Sequence, residues 1–358
     1  MAQNVVDVAI DPTTLQELRQ RLVQYGRPHI WKSIWQVINT FVPYAALWVI
    51  IVYMVRNGFA VWQIAPLILL ASLFLVRIFV LFHDCVHGSF FQSQRLNSLM
   101  GYLSGTLVFT SYGSWAHSHN IHHGTYANLD HRGVGDIWTL TRDEYLSLPR
   151  LTRLAYRLYR SPLVMTGLGP PVMFLFVFRF PEKGDGKKER RGVILSNLLI
   201  CIMFATMGAV IGWKTYLLLQ LAIMAIASNI GVWLFYVQHQ FEGVYWSRDA
   251  DWDQLKAALT GSSHYRLPRV FQWFSCSIGL HHVHHVLPRI PNYNLQTAYD
   301  ATPLLQTARQ LTIMRSLSSL RLNLWDEEHR RLVSFRSLKQ SSHSRNDNSP
   351  DHNMLPQT

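Results

Sequence analysis

The amino-acid sequence predicts an all-α integral membrane protein. It has four transmembrane helices as two hairpins, further interfacial or re-entrant helices, and a cytoplasmic helical cap. Three observations carry this. Only 15% of the 358 residues are charged, against about 25% in an ordinary soluble domain. Four stretches without charge are long enough to cross a hydrocarbon core, which takes about 20 residues. The basic residues collect at one end of those stretches. The composition excludes a disordered or collagen-like chain. With three scattered cysteines, Cys85, Cys201 and Cys276, it also excludes a disulfide scaffold.

The elements follow in order. Residues 1–32 read as a cytoplasmic segment with no apolar signal core. Residues 33–55 and 57–76 form the first hairpin, with Arg77 expected to snorkel from its end. Residues 192–213 and 215–238 form the second. The hairpin turns carry Arg56 and Lys214, one basic residue apiece. The opposite ends are crowded: Arg19, Arg21, Arg27 and Lys32 precede the first helix, and Arg179, Lys183, Lys187, Lys188, Arg190 and Arg191 precede the third. Loops rich in Lys and Arg stay in the cytoplasm, so both termini and the central region belong there. The net charge of +12 then reflects loops facing anionic lipid, with no nucleic-acid partner expected.

Two weaker stretches, 97–115 and 163–178, are rich in small residues or broken by Gly167, Gly169, Pro170 and Pro171. If the histidine patches meet at one site, the chain must cross the bilayer an even number of times between them. Both stretches are therefore expected to lie in the interface or re-enter. The membrane domain is expected over 33–300, an amphipathic cytoplasmic helix near 305–324 within a 301–333 segment, and a solvated tail over 334–358.

The 17 histidines are clustered. His83 and His87 stand at i and i+4 where the second helix ends. His119, His122 and His123 repeat an i, i+3, i+4 pattern, as do His281, His284 and His285; both patterns gather imidazoles on one helical stripe. His239 ends the fourth helix as His83 nearly ends the second. A lone histidine at a membrane interface is usually a hydrogen-bonded surface residue, but chance does not repeat this spacing. Neutral imidazole suits iron, zinc, copper and nickel. These histidines are too many for one tetrahedral zinc, which also lacks redox chemistry. The Glu-x-x-His pattern of soluble di-iron proteins is absent. The physical reading is an all-nitrogen site for two irons. Asp84, Asp130, Asp136 and Glu242 are candidates to orient the rings, with helix caps or loop ion pairs as the alternative. His117 and His282 fall outside the spacing; His29, His131, His264, His329, His343 and His352 are expected not to be ligands.

Here the sequence resembles the membrane fatty acid desaturases, in particular the bacterial acyl-lipid type. The boxes H-x3-H, H-x2-HH and H-x2-HH are met at His83/His87, His119/His122/His123 and His281/His284/His285. Surrounding phrases resemble that group too: His83 to Phe91, Asn128 to Trp138, Tyr236 to Glu242, Gly261 to Pro268 and Ile290 to Leu295. The resemblance implies a di-iron, O2-dependent enzyme that removes hydrogens from adjacent methylenes of an acyl chain. It implies a ninth ligand, met at His239, and a bacterial inner-membrane location. Three residues between His83 and His87, rather than four, favour an acyl-lipid over an acyl-CoA substrate. Phe235 stands where acyl-CoA enzymes carry a ligating asparagine, so no such ligand is carried over. No haem-binding His-Pro-Gly-Gly motif is present, so electrons are expected from a separate carrier, ferredoxin or flavodoxin, with cytochrome b5 as an alternative. Trp115, Trp138, Trp273 and Phe274 are candidate channel walls or interfacial anchors. A di-iron hydroxylase, ketolase or acetylenase acting on a lipid or carotenoid shares the boxes, and a membrane metal transporter is the non-enzymatic alternative.

Overall fold

A computed structural model describes residues 12–338; most of the expected tail, with His343 and His352, lies outside the described residues. A short helix α1 (Pro12–Leu22) leads to α2 (Ile30–Arg56) and α3 (Val61–Val86). Their 27 and 26 residues rise about 40 Å at about 1.5 Å each, enough to span with margin. Gly58, at φ 71°, makes the turn between them. The other hairpin is α9 (Lys187–Ile211) and α10 (Trp213–His239), reversed at Gly212 with φ 91°. These four helices are long and apolar enough to cross a membrane.

The weaker stretches do not span alone. Residues 97–115 are split between α4 (Gln94–Leu107) and α5 (Tyr112–Thr125), with a turn at Phe109, φ 55°. The 14 residues of α4 rise only about 21 Å. After β1 (Leu140–Thr141) and α6 (Arg142–Ser147) comes α7 (Arg150–Tyr159). Residues 163–178 hold a π-helical turn, Val164–Leu168, then α8 (Gly169–Leu175). This segment is bent by 47° against α7, as a broken span or re-entrant loop would be.

The segments beyond α10 build the cap: α11 (Gln254–Thr260), β2 (His264–Arg266), α12 (Arg269–Phe274), α13 (His281–Val286) and α14 (Asn292–Asp300). They are followed by β3 (Gln310–Thr312), α15 (Ile313–Ser316), β4 (Leu324–Asp326) and β5 (Arg331–Val333). The amphipathic helix expected over 305–324 is not formed. Residues 310–312 pair in parallel with 264–266, Leu324 aligns with Leu140, and Thr312 caps a four-residue helix by accepting from the Arg315 N–H. The reason is tertiary. Strand partners satisfy backbone groups that a helix would have satisfied internally.

Arg77 also departs from expectation. It does not snorkel to water but is 2% exposed. Its Nε donates to Thr40 Oγ1 at 2.9 Å, it donates to the Trp273 carbonyl, and its guanidinium lies 3.9 Å from the Trp273 ring centroid. Inside the bundle these acceptors replace water as partners for the charge.

α3 is the inner helix, packed against α2, α4 and α10. Over its most apolar window 56% is buried, against 17% for α9. Small residues bring α4 close to α5: a Cβ on Gly101 would run into the Tyr112 ring, and one on Gly105 would stand 2.6 Å from the Thr110 carbonyl. Tyr112 in turn donates to the Cys85 carbonyl at 3.1 Å, tying α5 to the end of α3. Gly101→Ala is therefore expected to destabilise by about 1–3 kcal/mol. Thermal unfolding of the variant in detergent checks this, and an unchanged melting temperature would show that the contact can relax.

Candidate metal centre

The last turn of α3 presents His83, and His87 follows as its C-cap, so the i, i+4 pair meets edge to face with ring centroids 4.7 Å apart. α5 carries His119, His122 and His123, all buried. α13 carries His281, His284 and His285, also buried. It is entered through Cys276 and Ser277, at φ 48° and 58°, which turn the chain sharply enough to point a six-residue helix at the site. His239 ends α10. All nine rings expected from the sequence meet at one end of the helical stem.

They fall into two neighbouring groups. One nitrogen each from His83, His87, His119, His123 and His284 lie within 4.8 Å of one another. The same holds for His122, His239 and His285. His281 joins the second group, its Nε2 standing 2.9 Å from His239 Nε2 and 3.0 Å from His285 Nε2. In the first group His123 Nε2 is 3.2 Å from His119 Nε2 and 3.1 Å from His284 Nε2. Nitrogens held about 2.0–2.1 Å from one metal stand about 2.9 Å apart at right angles and about 3.4 Å at tetrahedral angles. The spacings fit that range. His87 Nε2 and His122 Nε2 are buried without a hydrogen-bond partner, a cost that a bound ion would remove. The donor set therefore suits metal ions that accept imidazole nitrogen.

Other side chains hold the rings in place. Asp136 contacts His122 Nδ1 at 2.5 Å, which leaves Nε2 for the centre. His239 Nδ1 faces the Gly261 carbonyl at 3.3 Å and can donate to it. A Cβ on Gly261 would stand 2.6 Å from the Ala257 carbonyl, so the close approach requires glycine. Asp84 lies 3.7 Å from His83 Nδ1 but is chiefly bound to Asn292, whose backbone N–H and side-chain amide donate at 2.7 and 2.8 Å. It ties the first box to α14. Asp130 and Glu242 play no such part: Asp130 binds Arg248 and the Asp249 N–H, and Glu242 is exposed.

Trp115 stacks on His119, centroids 4.2 Å apart, whereas Trp138 packs on Tyr156 and Tyr159, and Trp273 and Phe274 pack on Phe74 of α3. Phe235 sets its ring 5.4 Å from His122 and 5.1 Å from His239, so an apolar surface borders the centre there. His117 is half-buried outside both groups. His282 packs on His264 and Tyr299, and its pKa is pushed down to about 3 by burial and then by His264. Sequence reasoning missed Arg160. This buried guanidinium donates to Thr139 Oγ1, Gln240 Oε1 and the Leu322 carbonyl, joining the residue after His239 to the loop after Asp136. Nothing in its local sequence marks it.

Burial first, then neighbouring imidazoles, holds the pKa of His87, His119, His123, His281, His284 and His285 well below the usual imidazole value. These rings are neutral, as metal ligation requires. In the metal-free protein their contribution to stability is full above about pH 6.5, where the unfolded rings are also neutral. It is lost as pH falls, because the unfolded chain takes up protons first. The melting temperature of metal-free protein is expected to fall between about pH 7 and pH 5. A flat profile over that interval would contradict burial of neutral rings.

A model of the family described as fatty acid desaturase matches residues 57–314. A Bacillus subtilis protein named fatty acid desaturase is 43% identical over 340 residues, covering 95% of this chain and 96% of that protein. A Nostoc protein named sn-1 acyl-lipid omega-3 desaturase (ferredoxin) is 29% identical over 310 residues, covering 81% of this chain and 80% of that protein. An Arabidopsis thaliana protein named sn-2 acyl-lipid omega-3 desaturase (ferredoxin), chloroplastic, is 28% identical over 324 residues, covering 81% and 66%. With this extent of similarity and a histidine cluster able to hold metal, the chain belongs to the fatty acid desaturase family.

Proposed function

We propose that the chain is an O2-dependent acyl desaturase that places a double bond in the acyl chain of a membrane lipid at a di-iron centre. The observation that carries the reading is the pair of adjacent, buried, all-imidazole groups at the end of a membrane-spanning stem. His83, His87, His119, His123 and His284 would hold one iron, and His122, His239, His281 and His285 the other. When bound, the irons supply O2 reduction: a CH2–CH2 unit, O2, two electrons and two protons yield CH=CH and two waters. The protein fixes the rings through Asp136 and the Gly261 carbonyl, and keeps water from the reacting carbons with the apolar faces of Trp115 and Phe235.

The relatives named for acyl-lipid substrates and the spacing of the first box support the substrate class. Their names also specify ferredoxin, which supports a separate electron carrier here; flavodoxin or cytochrome b5 would serve the same role. The basic flanks of the spans support a cytoplasmic centre in a bacterial inner membrane, within a desaturase domain over 33–300 that residues 1–32 precede and 301–333 follow. Rings gathered at helix ends, rather than along a span, argue against a metal-transport path.

His122→Ala and His284→Ala are expected to abolish new double bonds in a desaturase-deficient host and to lower bound iron. Fatty acid methyl ester analysis and elemental analysis read these out. Full activity in both variants would refute the ligand assignment, and a gain of sixteen mass units in the wild-type product would make the enzyme a hydroxylase. Asp136→Asn should retain the fold and lose about 10–100-fold in activity or iron affinity. Wild-type turnover in that variant would leave Asp136 without an orienting role.

A further inference from the structure

The strands β2 and β3 run parallel, so the helices that follow them, α12 and α15, leave the same end of the pair. α12 packs on α3, and α15 is tied to α10 through Tyr265 at a similar depth. α12 is bound through the Trp273 carbonyl and ring to Arg77, six residues before His83 on α3, or about 9 Å along the axis toward the bilayer. The α15 side is bound through Tyr265, whose hydroxyl contacts Ser316 Oγ at 3.1 Å and accepts from Trp233 Nε1 at 3.3 Å. Trp233 is six residues before His239 on α10, again about 9 Å toward the bilayer. Tyr236 donates to the Ser319 carbonyl at 2.8 Å on the same side.

At that depth the outward surfaces are apolar. Val270 is 63% exposed, Phe271 44% and Trp273 42% on α12; Ile313 is 38% and Met314 76% on α15, with Leu317 at 50% just beyond. Arg266, Arg269, Arg309 and Arg315 are exposed around them. No acidic residue occurs in 261–299 or in 301–325. Apolar side chains set among uncompensated arginines match the acyl-and-phosphate boundary of an anionic leaflet.

We propose that α12 and α15 form a two-pronged foot that embeds in the leaflet on the histidine side, with the surrounding arginines bound to anionic phospholipid head groups. The foot anchors the cap to the stem and does not depend on the metals. It braces the surface between the ends of α3 and α10.

The test uses the full chain in nanodiscs of phosphatidylglycerol and phosphatidylcholine. Met314→Cys and Val270→Cys are made in a Cys201→Ser background, since Cys85 and Cys276 are buried. Each is labelled with bimane, with Glu328→Cys on the exposed cap as the control. Lipids carrying a nitroxide near the head group are expected to quench the labels at 314 and 270 by more than half and spare the control. Aqueous iodide is expected to do the reverse. Arg269→Glu with Arg315→Glu should remove the preference for nitroxide phosphatidylglycerol over nitroxide phosphatidylcholine. Iodide quenching at 270 and 314 equal to the control would overturn the proposal. So would shielding from both quenchers that grows with the number of chains per disc, which would mean a second copy covers the surface.

Discussion

The burial of many neutral imidazoles with their nitrogens turned toward one another constrains the rest of this molecule. Rings whose Nε2 atoms stand about 3 Å apart, as His239 and His281 do, cannot all be protonated, and without partners they leave polar atoms unsatisfied in a low-dielectric setting. Such an arrangement persists only if the surrounding structure fixes every ring. The end of α3, α5, the end of α10 and α13 must therefore be held in register to within the reach of a coordination bond.

Polar ties add to apolar packing in supplying that register at the histidine end, where Leu81 and Cys85 of α3 share a buried cluster with Val283 and Val286 of α13. Asp84 joins α3 to α14 through Asn292, and Asn292 exchanges further hydrogen bonds with Gln36 of α2. Gln238 donates to the Ile278 carbonyl, fixing the end of α10 to the turn that enters α13. Arg160 bridges the loop after Asp136, Gln240 and Leu322. Each bond crosses between segments far apart in sequence, so the site is assembled by the tertiary fold rather than by any local element. In the hydrocarbon half of the stem, apolar contacts among α2, α3 and α10 suffice, and the polar exceptions such as Arg77 are paired internally.

The cap resolves a difficulty that a membrane enzyme faces when its chemistry sits beyond the ends of its helices. Loops there are exposed to water and expensive to order. Short parallel strand pairs, β1 with β4 and β2 with β3, bind residues 310–325 to earlier loops and satisfy backbone groups that a long loop would leave open. They also carry α12 and α15 down beside the stem, which joins the cap to the membrane as well as to the helices.

The sequence by itself determined the four spanning helices, because hydropathy and length are local properties and a bilayer demands both. It also marked the two weak stretches as too short or broken for a plain span, and the eight box histidines, whose spacing repeats a helical stripe. What only the tertiary structure decided are the partners. Arg77 turned inward because Thr40 and Trp273 were there to receive it. Residues 305–324 broke into a strand and short helical turns because 264–266 offered a ladder. Asp136 contacts His122, while Asp130 and Glu242, equally plausible on paper, face elsewhere. A carboxylate carries the same sequence signal whether it caps a loop or orients a ring. Only the placement of the element that brings it there distinguishes the two, and that placement depends on long-range packing absent from any local window.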